Sequence, residues 1–162
     1  MMNRETACAP EGRAALVRRA TEVLEAAADA AGRELDRHAG AYGLSDAKLE
    51  VMEILACCQN RRACLYDLGD RLRVTRPNVT KLVDGLQRGG LVERLPHPED
   101  GRMVQAHLTA AGQEVAASAL PGREERIAAL WEGLDDDELR ALIDLLARAA
   151  RPLEAYRLSS GT

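Results

Sequence analysis

Apolar residues recur every three or four positions along much of this 162-residue chain, which is the spacing of one face of an α-helix. The first such stretch runs from about residue 11 to residue 38, and its stripe consists of Leu16, Ala20, Val23, Leu24, Ala27, Ala31 and Leu35. A helix of about 28 residues is about 42 Å long. Because a compact domain of this size does not need so long a helix, the pattern predicts that it packs against a second subunit.

Shorter helical patterns follow, and several have residues that typically begin or end a helix. Ser45 is a favourable N-cap for a second helix, and Thr109 is one for a later helix. Pro121-Gly122 is expected to kink or break that later helix. Asp135 and Glu138 have the spacing of a capping box at the start of the last helix. The chain is therefore predicted to be mainly helical.

The segment from residue 74 to residue 88 has the most informative pattern. Thr75 is placed to cap a helix, and Pro77 falls in its first turn, where the missing N–H has no cost. The apolar stripe of this helix is Val79, Leu82, Val83 and Leu86, and Gly89-Gly90 ends it. The helix is predicted to bury that narrow face and to expose a polar N-terminal end.

Two strands are predicted directly after this helix, over residues 91–95 and 104–108. The link between them is rich in turn residues and too long for a tight hairpin, so it is expected to project as a loop. A short helix with a turn at Arg73-Val74 precedes the segment. The succession of short helix, turn, capped helix and two-stranded ribbon predicts a winged helix-turn-helix.

The polar residues of this unit suit duplex DNA. Arg76 and Lys81 can neutralise phosphates or reach guanine, and Asn78 can pair with adenine in the major groove. Thr75 and Thr80 can form hydrogen bonds with phosphate oxygens. A helix N-terminus also directs backbone N–H groups at anions. The sequence therefore predicts that this helix reads DNA.

The distribution of charge agrees with a polyanionic partner for the middle of the chain. The net charge is −4 overall, but nine Lys and Arg oppose six Asp and Glu between residues 61 and 107. Arg102, at the tip of the predicted loop, is the type of residue that enters a narrow minor groove. The middle segment is therefore positive within an acidic chain, which is typical of a DNA-facing surface in an acidic protein.

The composition is that of an ordinary globular chain, with 46% hydrophobic and 30% charged residues and no Phe. It excludes collagen-like, disordered and disulfide-scaffold classes. No run approaches the roughly 18 apolar residues of a membrane span, and the first thirteen residues lack the apolar core of a signal peptide. A cytoplasmic location without membrane contact is therefore expected.

Four cysteines are present, namely Cys8, Cys57, Cys58 and Cys64. No C-x-x-C occurs and no histidine stands at metal-ligand spacing from them, so neither a metal nor a cofactor is expected. The favoured interpretation is small, buried or half-buried free thiols. The alternative is a redox sensor that uses Cys57, Cys58 or Cys64.

The residues from Leu72 to Gly112 resemble the multiple antibiotic resistance regulator (MarR) family. The motifs that carry the resemblance are residues 74–86, Gly90-Leu91-Val92-Glu93-Arg94, Pro98-Glu99-Asp100-Gly101-Arg102 and Leu108-Thr109-Ala110-Ala111-Gly112. The long first helix and the two closing helices match the layout of the family as well. The likeness therefore spans nearly the whole chain.

This resemblance implies a homodimeric repressor that binds a pseudo-palindromic operator and is released by a small phenolic or lipophilic effector. Its groove-reading positions fall on Thr75, Arg76, Pro77, Asn78, Thr80 and Lys81, and its wing contacts fall on Arg94, His97 and Arg102. Asp100 is expected to brace the wing through an ion pair. An effector pocket is one interpretation of His38, Tyr42 and Met52, although core or hinge packing is favoured for these three.

The chain is accordingly divided into an N-terminal dimerisation helix over residues 1–44, a DNA-binding lobe over 45–109, and C-terminal dimerisation helices over 110–162. The first and third parts are expected to form one structural unit. An enzyme is not expected, because no phosphate loop, nucleophile elbow or metal pair is visible. A winged helix that binds another protein remains as an alternative. The two functions differ in the effect of salt, because the affinity of a DNA-binding protein for duplex DNA falls as salt is added.

Overall fold

The computed structural model describes residues 12–100 and 102–159, and these residues form a mainly helical fold with one small sheet. The helices are α1 (Arg13–Gly40), α2 (Asp46–Cys57), α3 (Leu65–Leu72), α4 (Arg76–Arg88), α5 (Ala110–Leu130) and α6 (Asp136–Ser159), with a 3-10 turn over Gln59–Arg61. The strands are β1 (Arg62–Cys64), β2 (Val92–Pro96) and β3 (Val104–Leu108). The predicted fold class, mainly α with a small β wing, is confirmed. Cys8 lies outside the described residues.

Most helix ends fall where the cap residues predict them. The Thr109 hydroxyl accepts a hydrogen bond from the Gly112 N–H at 3.0 Å in the first turn of α5. The capping box of α6 is complete, because the Asp135 N–H donates to Glu138 and the Glu138 N–H donates to Asp135, at 3.0 and 2.9 Å. Ser45 and Thr75 occupy the N-cap positions of α2 and α4 with extended backbone.

The sheet has three strands in the order β1-β3-β2, all antiparallel. The prediction of two strands was therefore incomplete, because β1 pairs Ala63 with Ala106 on the far side of β3. This strand has only three residues, too few for alternation of apolar and polar positions to be visible. Its backbone groups are satisfied by pairing with β3, and nothing in the sequence of β1 itself indicates that pairing.

The main core lies between α2, α3, α4 and the sheet. The fully buried large side chains of this core are Val51, Met52, Leu55, Leu68, Val79, Val83, Leu86 and Leu108, with Val92 1% exposed. The stripe of α4 faces inward as predicted, so the opposite face and the N-terminal end of this helix remain accessible. The position of α4 is therefore fixed by apolar burial.

Of the kink or break expected at Pro121-Gly122, the break is wrong, because α5 continues from Ala110 to Leu130 with Pro121 inside it. Pro121 cannot donate to the carbonyl of Ala117, but Ala117 is exposed and water can take the place of that donor. The next two carbonyls have side-chain donors as well. Tyr42 Oη donates to Ser118 O at 3.0 Å, and His38 Nε2–H donates to Ala119 O at 2.8 Å.

The chain divides into two compact units, one ending at Arg123 and the other beginning at Glu124. The first contains the three-stranded sheet and α1 to α4 with most of α5. The second contains the end of α5, a turn and α6. Within the described ranges, no helix combines the length and the apolar composition that crossing a bilayer requires.

Candidate nucleic-acid interface

The N-terminal end of α4 presents polar side chains to solvent. Thr75, Arg76, Pro77, Asn78 and Lys81 are exposed, and Thr80 is half-buried. On the other side of the same helix Val79, Val83 and Leu86 are fully buried. Burial of the inner face fixes the position of the helix. Its outer face then presents a row of cationic, amide and hydroxyl groups, which a duplex can approach.

A tight turn connects α3 to α4. Arg73 has a left-handed backbone with φ of 53°, and the Val74 N–H donates to Gly69 O at 3.1 Å. A Cβ on Gly69 would lie 3.3 Å from Val79 Cγ2, so glycine permits the close contact between the two helices. Cys64 is the N-cap residue of α3, with extended backbone. The two helices form the predicted helix-turn-helix.

The wing loop after β2 is ordered by its own polar groups. His97 Nδ1 accepts hydrogen bonds from the N–H groups of Glu99 and Asp100, at 3.2 and 3.3 Å. Asp100 Oδ1 accepts one from the Arg102 N–H at 3.0 Å, so its observed bracing contact is with the backbone rather than with a guanidinium. The exposed Arg102 side chain follows this turn.

Arg94 on β2 contacts α4 directly. Its Nη2 lies 2.8 Å from Asp84 Oδ1 and donates to Thr80 O at 3.4 Å. The Arg94 side chain is 29% exposed and that of Asp84 39%. Arg94 Nε is buried without a hydrogen-bond partner. This arginine, which the sequence predicts as a wing contact, is therefore already engaged by the recognition helix.

A cavity of about 180 Å³ lies between the starts of α3 and α4 and the wing. Its lining residues are Cys64, Leu65, Tyr66, Arg76, Thr80, Arg94, Arg102, Met103 and Val104. Three arginines therefore line one space, and arginine is a residue type that favours phosphate oxygens. Tyr66, which is 63% exposed, also lines this cavity, but the sequence did not indicate it as a site residue. The only signal that could have done so is an aromatic residue at the start of a helix.

The three candidates for an effector pocket lie elsewhere in the first unit. Met52 is fully buried in the core, and His38 is buried with its Nε2 bonded to α5. Tyr42 is bonded to α5 too and meets the His38 ring edge-on at 5.5 Å between centroids. A different cavity, of about 480 Å³, lies beside α5. Its lining residues are Ala56, Arg61, Leu108, Gln113, Ala116, Ala117, Leu120 and Pro121.

The three described cysteines are free thiols of different exposure: Cys57 is exposed, Cys58 is half-buried and Cys64 is buried. Arg71 Nη1 lies 3.4 Å from Cys58 Sγ. Gln105 Nε2 lies 3.9 Å from Cys64 Sγ, which is a weak contact. Redox sensing by any of the three stays a prediction.

Behind the interface, Arg123 on α5 is held by two acids of α2. Its Nε lies 2.7 Å from Asp46 Oδ1, its Nη2 3.3 Å from Asp46 Oδ2, and its Nη1 2.8 Å from Glu53 Oε2. Burial by itself lowers the pKa of Arg123, but the hydrogen bond to Asp46 and the nearby carboxylates raise it above its ordinary value. Burial raises the pKa of the neighbouring Glu50, although Arg123 opposes this. The sequence did not single out this cluster.

Two packed helices joined by a tight turn, an exposed polar helix start and a wing define the class of winged helix-turn-helix DNA-binding proteins. Comparisons with known proteins agree. The MarR family model matches residues 47–104. The HTH-type transcriptional regulator YkoM of Bacillus subtilis is 36% identical over 108 residues, which are 67% of this chain and 69% of YkoM.

Two further comparisons extend the likeness along the chain. The HTH-type transcriptional repressor YetL of Bacillus subtilis is 29% identical over 123 residues, 76% of this chain and 74% of YetL. The fold is similar to that of Sco3205, a MarR family transcriptional regulator from Streptomyces coelicolor whose structure contains DNA, with a TM-score of 0.81 and 24% identity over 90% of this chain and 92% of Sco3205.

This chain therefore belongs to the MarR family of transcription regulators. The resemblance seen in the sequence is confirmed, and so is the expectation that the protein is a DNA-binding regulator rather than an enzyme. The individual DNA contacts assigned to α4 and to the wing stay predictions.

Proposed function

We propose that this protein is a homodimeric repressor that reads a pseudo-palindromic operator with the N-terminal end of α4 and with the wing. The single observation that carries the proposal is the exposed polar end of α4, which is opposite a fully buried apolar face and whose Arg76 lines one cavity with Arg102 of the wing. The name of the relative YetL supports repression, and the DNA in the Sco3205 structure supports a duplex as partner. Such a regulator acts where the chromosome lies, in the cytoplasm.

Replacing Arg76 by alanine is expected to weaken binding to the operator by about 1–3 kcal/mol, because a cationic side chain at the start of the recognition helix reaches base edges or phosphates. A gel shift with the duplex that flanks the gene of this protein measures the loss. Arg88→Ala is the matched control, since it removes the same charge from the exposed C-terminal end of α4. Equal affinities of the wild type and the folded Arg76→Ala variant would contradict the assignment.

The proposed dimer rests on apolar surface that one chain leaves uncovered. Residues 13–30 of α1 are all exposed, including Leu16, Val17, Val23 and Leu24, each more than half exposed. On α6, Ile143 is 64% and Leu145 57% exposed. A lone exposed helix is marginal in water, so α1 needs a covering surface. A second copy of the chain supplies an equivalent stripe, which a two-fold interface uses.

The wild-type protein is expected to have twice its chain mass of 17.6 kDa by light scattering at micromolar concentration. Leu24→Glu places a charge in the stripe of α1 and should shift the mass toward that of one chain, because an uncompensated charge is costly in an apolar interface. Arg18→Glu introduces the same acid on the polar side of α1 and should leave the dimer intact. A wild-type monomer at this concentration would overturn the proposed assembly.

We propose in addition that a small lipophilic anion releases the repressor. The cavity of about 480 Å³ beside α5 supports this, because its lining is mainly apolar and includes the cationic Arg61. The effector then binds nearer to Ala116 and Leu120 than to His38 or Met52. The gel shift described above, repeated in the presence of a phenolic acid, tests the release.

A further inference from the structure

The wing strand β2 and the recognition helix α4 are joined by a polar contact that DNA binding alone does not explain. Arg94 bonds the Asp84 carboxylate and lies within 3.4 Å of the Thr80 carbonyl, two groups one turn apart on α4. Both contacts are made by Nη2, whose two N–H groups lie in the rigid guanidinium plane, so together they restrict the direction from which the strand approaches the helix. The contact is therefore suited to fixing geometry.

Asp84 is an unexpected residue for the helix that faces a polyanion. Its charge repels phosphates, so on Coulomb grounds alone its removal would improve DNA binding. Its carboxylate is instead directed to Arg94, at 2.8 Å. An acid at this place therefore has a function other than contacting the duplex.

We propose that Asp84 and Arg94 form a brace that sets the angle between α4 and the wing, and that Arg94 is a positioning residue rather than a DNA contact. The inference rests on the proposed operator binding by these two elements. Arg76 of α4 and Arg102 of the wing line the same cavity as Arg94, so the brace adjoins the two arginines predicted to reach DNA. A change of its geometry moves one of them relative to the other.

The surroundings of Arg94 make this brace hard to replace with water. Its side chain is 29% exposed, and Nε is buried without a hydrogen-bond partner. A partly desolvated cation depends on its remaining partner more than an exposed one does. The link between α4 and β2 is short and includes Gly90, whose φ is 70°. This link alone does not fix the angle between the helix and the strand.

The test is the operator affinity of Asp84→Asn, which removes one negative charge and keeps the shape of the side chain. The brace predicts an affinity about tenfold lower than that of the wild type, as expected for coupled neighbours, whereas electrostatics alone predicts a higher one. The same variant should bind a random duplex at least as tightly as the wild type. The ratio of operator to random affinity therefore falls, which a general loss of folded protein cannot produce.

A double-mutant cycle completes the test. Arg94→Gln and Asp84→Asn together should lose little more operator affinity than either alone, and the exchange Asp84→Arg with Arg94→Asp should recover part of it. If an Asp84 variant does not fold, Arg94→Lys takes its place in the test, because lysine keeps the positive charge but lacks the planar guanidinium. Tighter operator binding by Asp84→Asn, or additive losses in the cycle, overturns the brace. A wild-type protein that binds no duplex at all overturns the proposed function instead.

Discussion

Arg123→Ala is expected to lower the free energy of unfolding by about 3–5 kcal/mol, the usual cost of removing one partner from a buried ion pair. The Arg123 side chain is 10% exposed, and it is the cation that Asp46 and Glu53 share. Its loss removes the guanidinium that both carboxylates contact, in a cluster that also contains Glu50. Thermal unfolding should show a midpoint about 6–20 °C lower than that of the wild type.

The matched control for this prediction is Arg140→Ala. Arg140 contacts Asp137 at 2.7 Å and Asp136 at 3.5 Å, but its side chain is 70% exposed. Exposed pairs contribute about 0–1 kcal/mol, so this variant should unfold close to the wild type. Similar midpoints for the Arg123 and Arg140 variants would mean that the charge cluster of α2 and α5 contributes no more than a surface pair.

Glu50 provides a second comparison, through the effect of pH. Burial raises the pKa of Glu50 above its ordinary value, so the folded chain holds this proton more firmly than the unfolded chain. The stability from this group is therefore present at low pH and is lost as the pH rises through the folded pKa. Glu50→Gln should raise the unfolding midpoint at neutral pH, and its advantage over the wild type should shrink on acidification.

The helix-turn-helix and the wing were largely predictable because their signals are local. Thr75 and Pro77 fix the start of α4, Gly89 and Gly90 follow its end, and the alternation in residues 104–108 marks β3. Each of these residues determines the backbone conformation only of its near neighbours in sequence. The apolar stripe then determines which face is buried, and the exposed polar end follows from it.

The parts that were not predictable depend on residues distant in sequence. Strand β1 is recognisable only beside β3, and Arg123 finds its acid Asp46 at a separation of 77 residues. Pro121 indicated a kink or a break, yet α5 continues through it, and side-chain donors from the end of α1 and from the turn after it contact carbonyls of α5 just before the proline. The sequence indicates only that Arg94 is a cation of the wing, and its contact with Asp84 is visible in the structure alone.

Gly112→Ala is expected to destabilise the fold by about 3 kcal/mol or more, at or beyond the upper end of overpacking in a core. A Cβ at this position would overlap the Leu91 carbonyl oxygen and lie 2.8 Å from Leu108 Cδ1. The carbonyl cannot move away freely, because it accepts the Thr109 N–H at 3.0 Å. The Thr109 hydroxyl in turn donates to Gly90 O at 2.7 Å. The first turn of α5 is thus fixed to the segment before β2, and this close approach requires the glycine that ends the Leu108-Thr109-Ala110-Ala111-Gly112 motif.

The control is Gly32→Ala in α1, where an added Cβ meets nothing within 4 Å. Alanine is favoured over glycine inside a helix by about 1 kcal/mol, so this variant should unfold later than the wild type, whereas Gly112→Ala should unfold earlier. Because both changes add the same methyl group to a helical glycine, the opposite signs isolate the contacts with Leu91 and Leu108. Denaturant unfolding followed by circular dichroism measures both, and two stabilised variants would show that α5 can move away from the base of the wing.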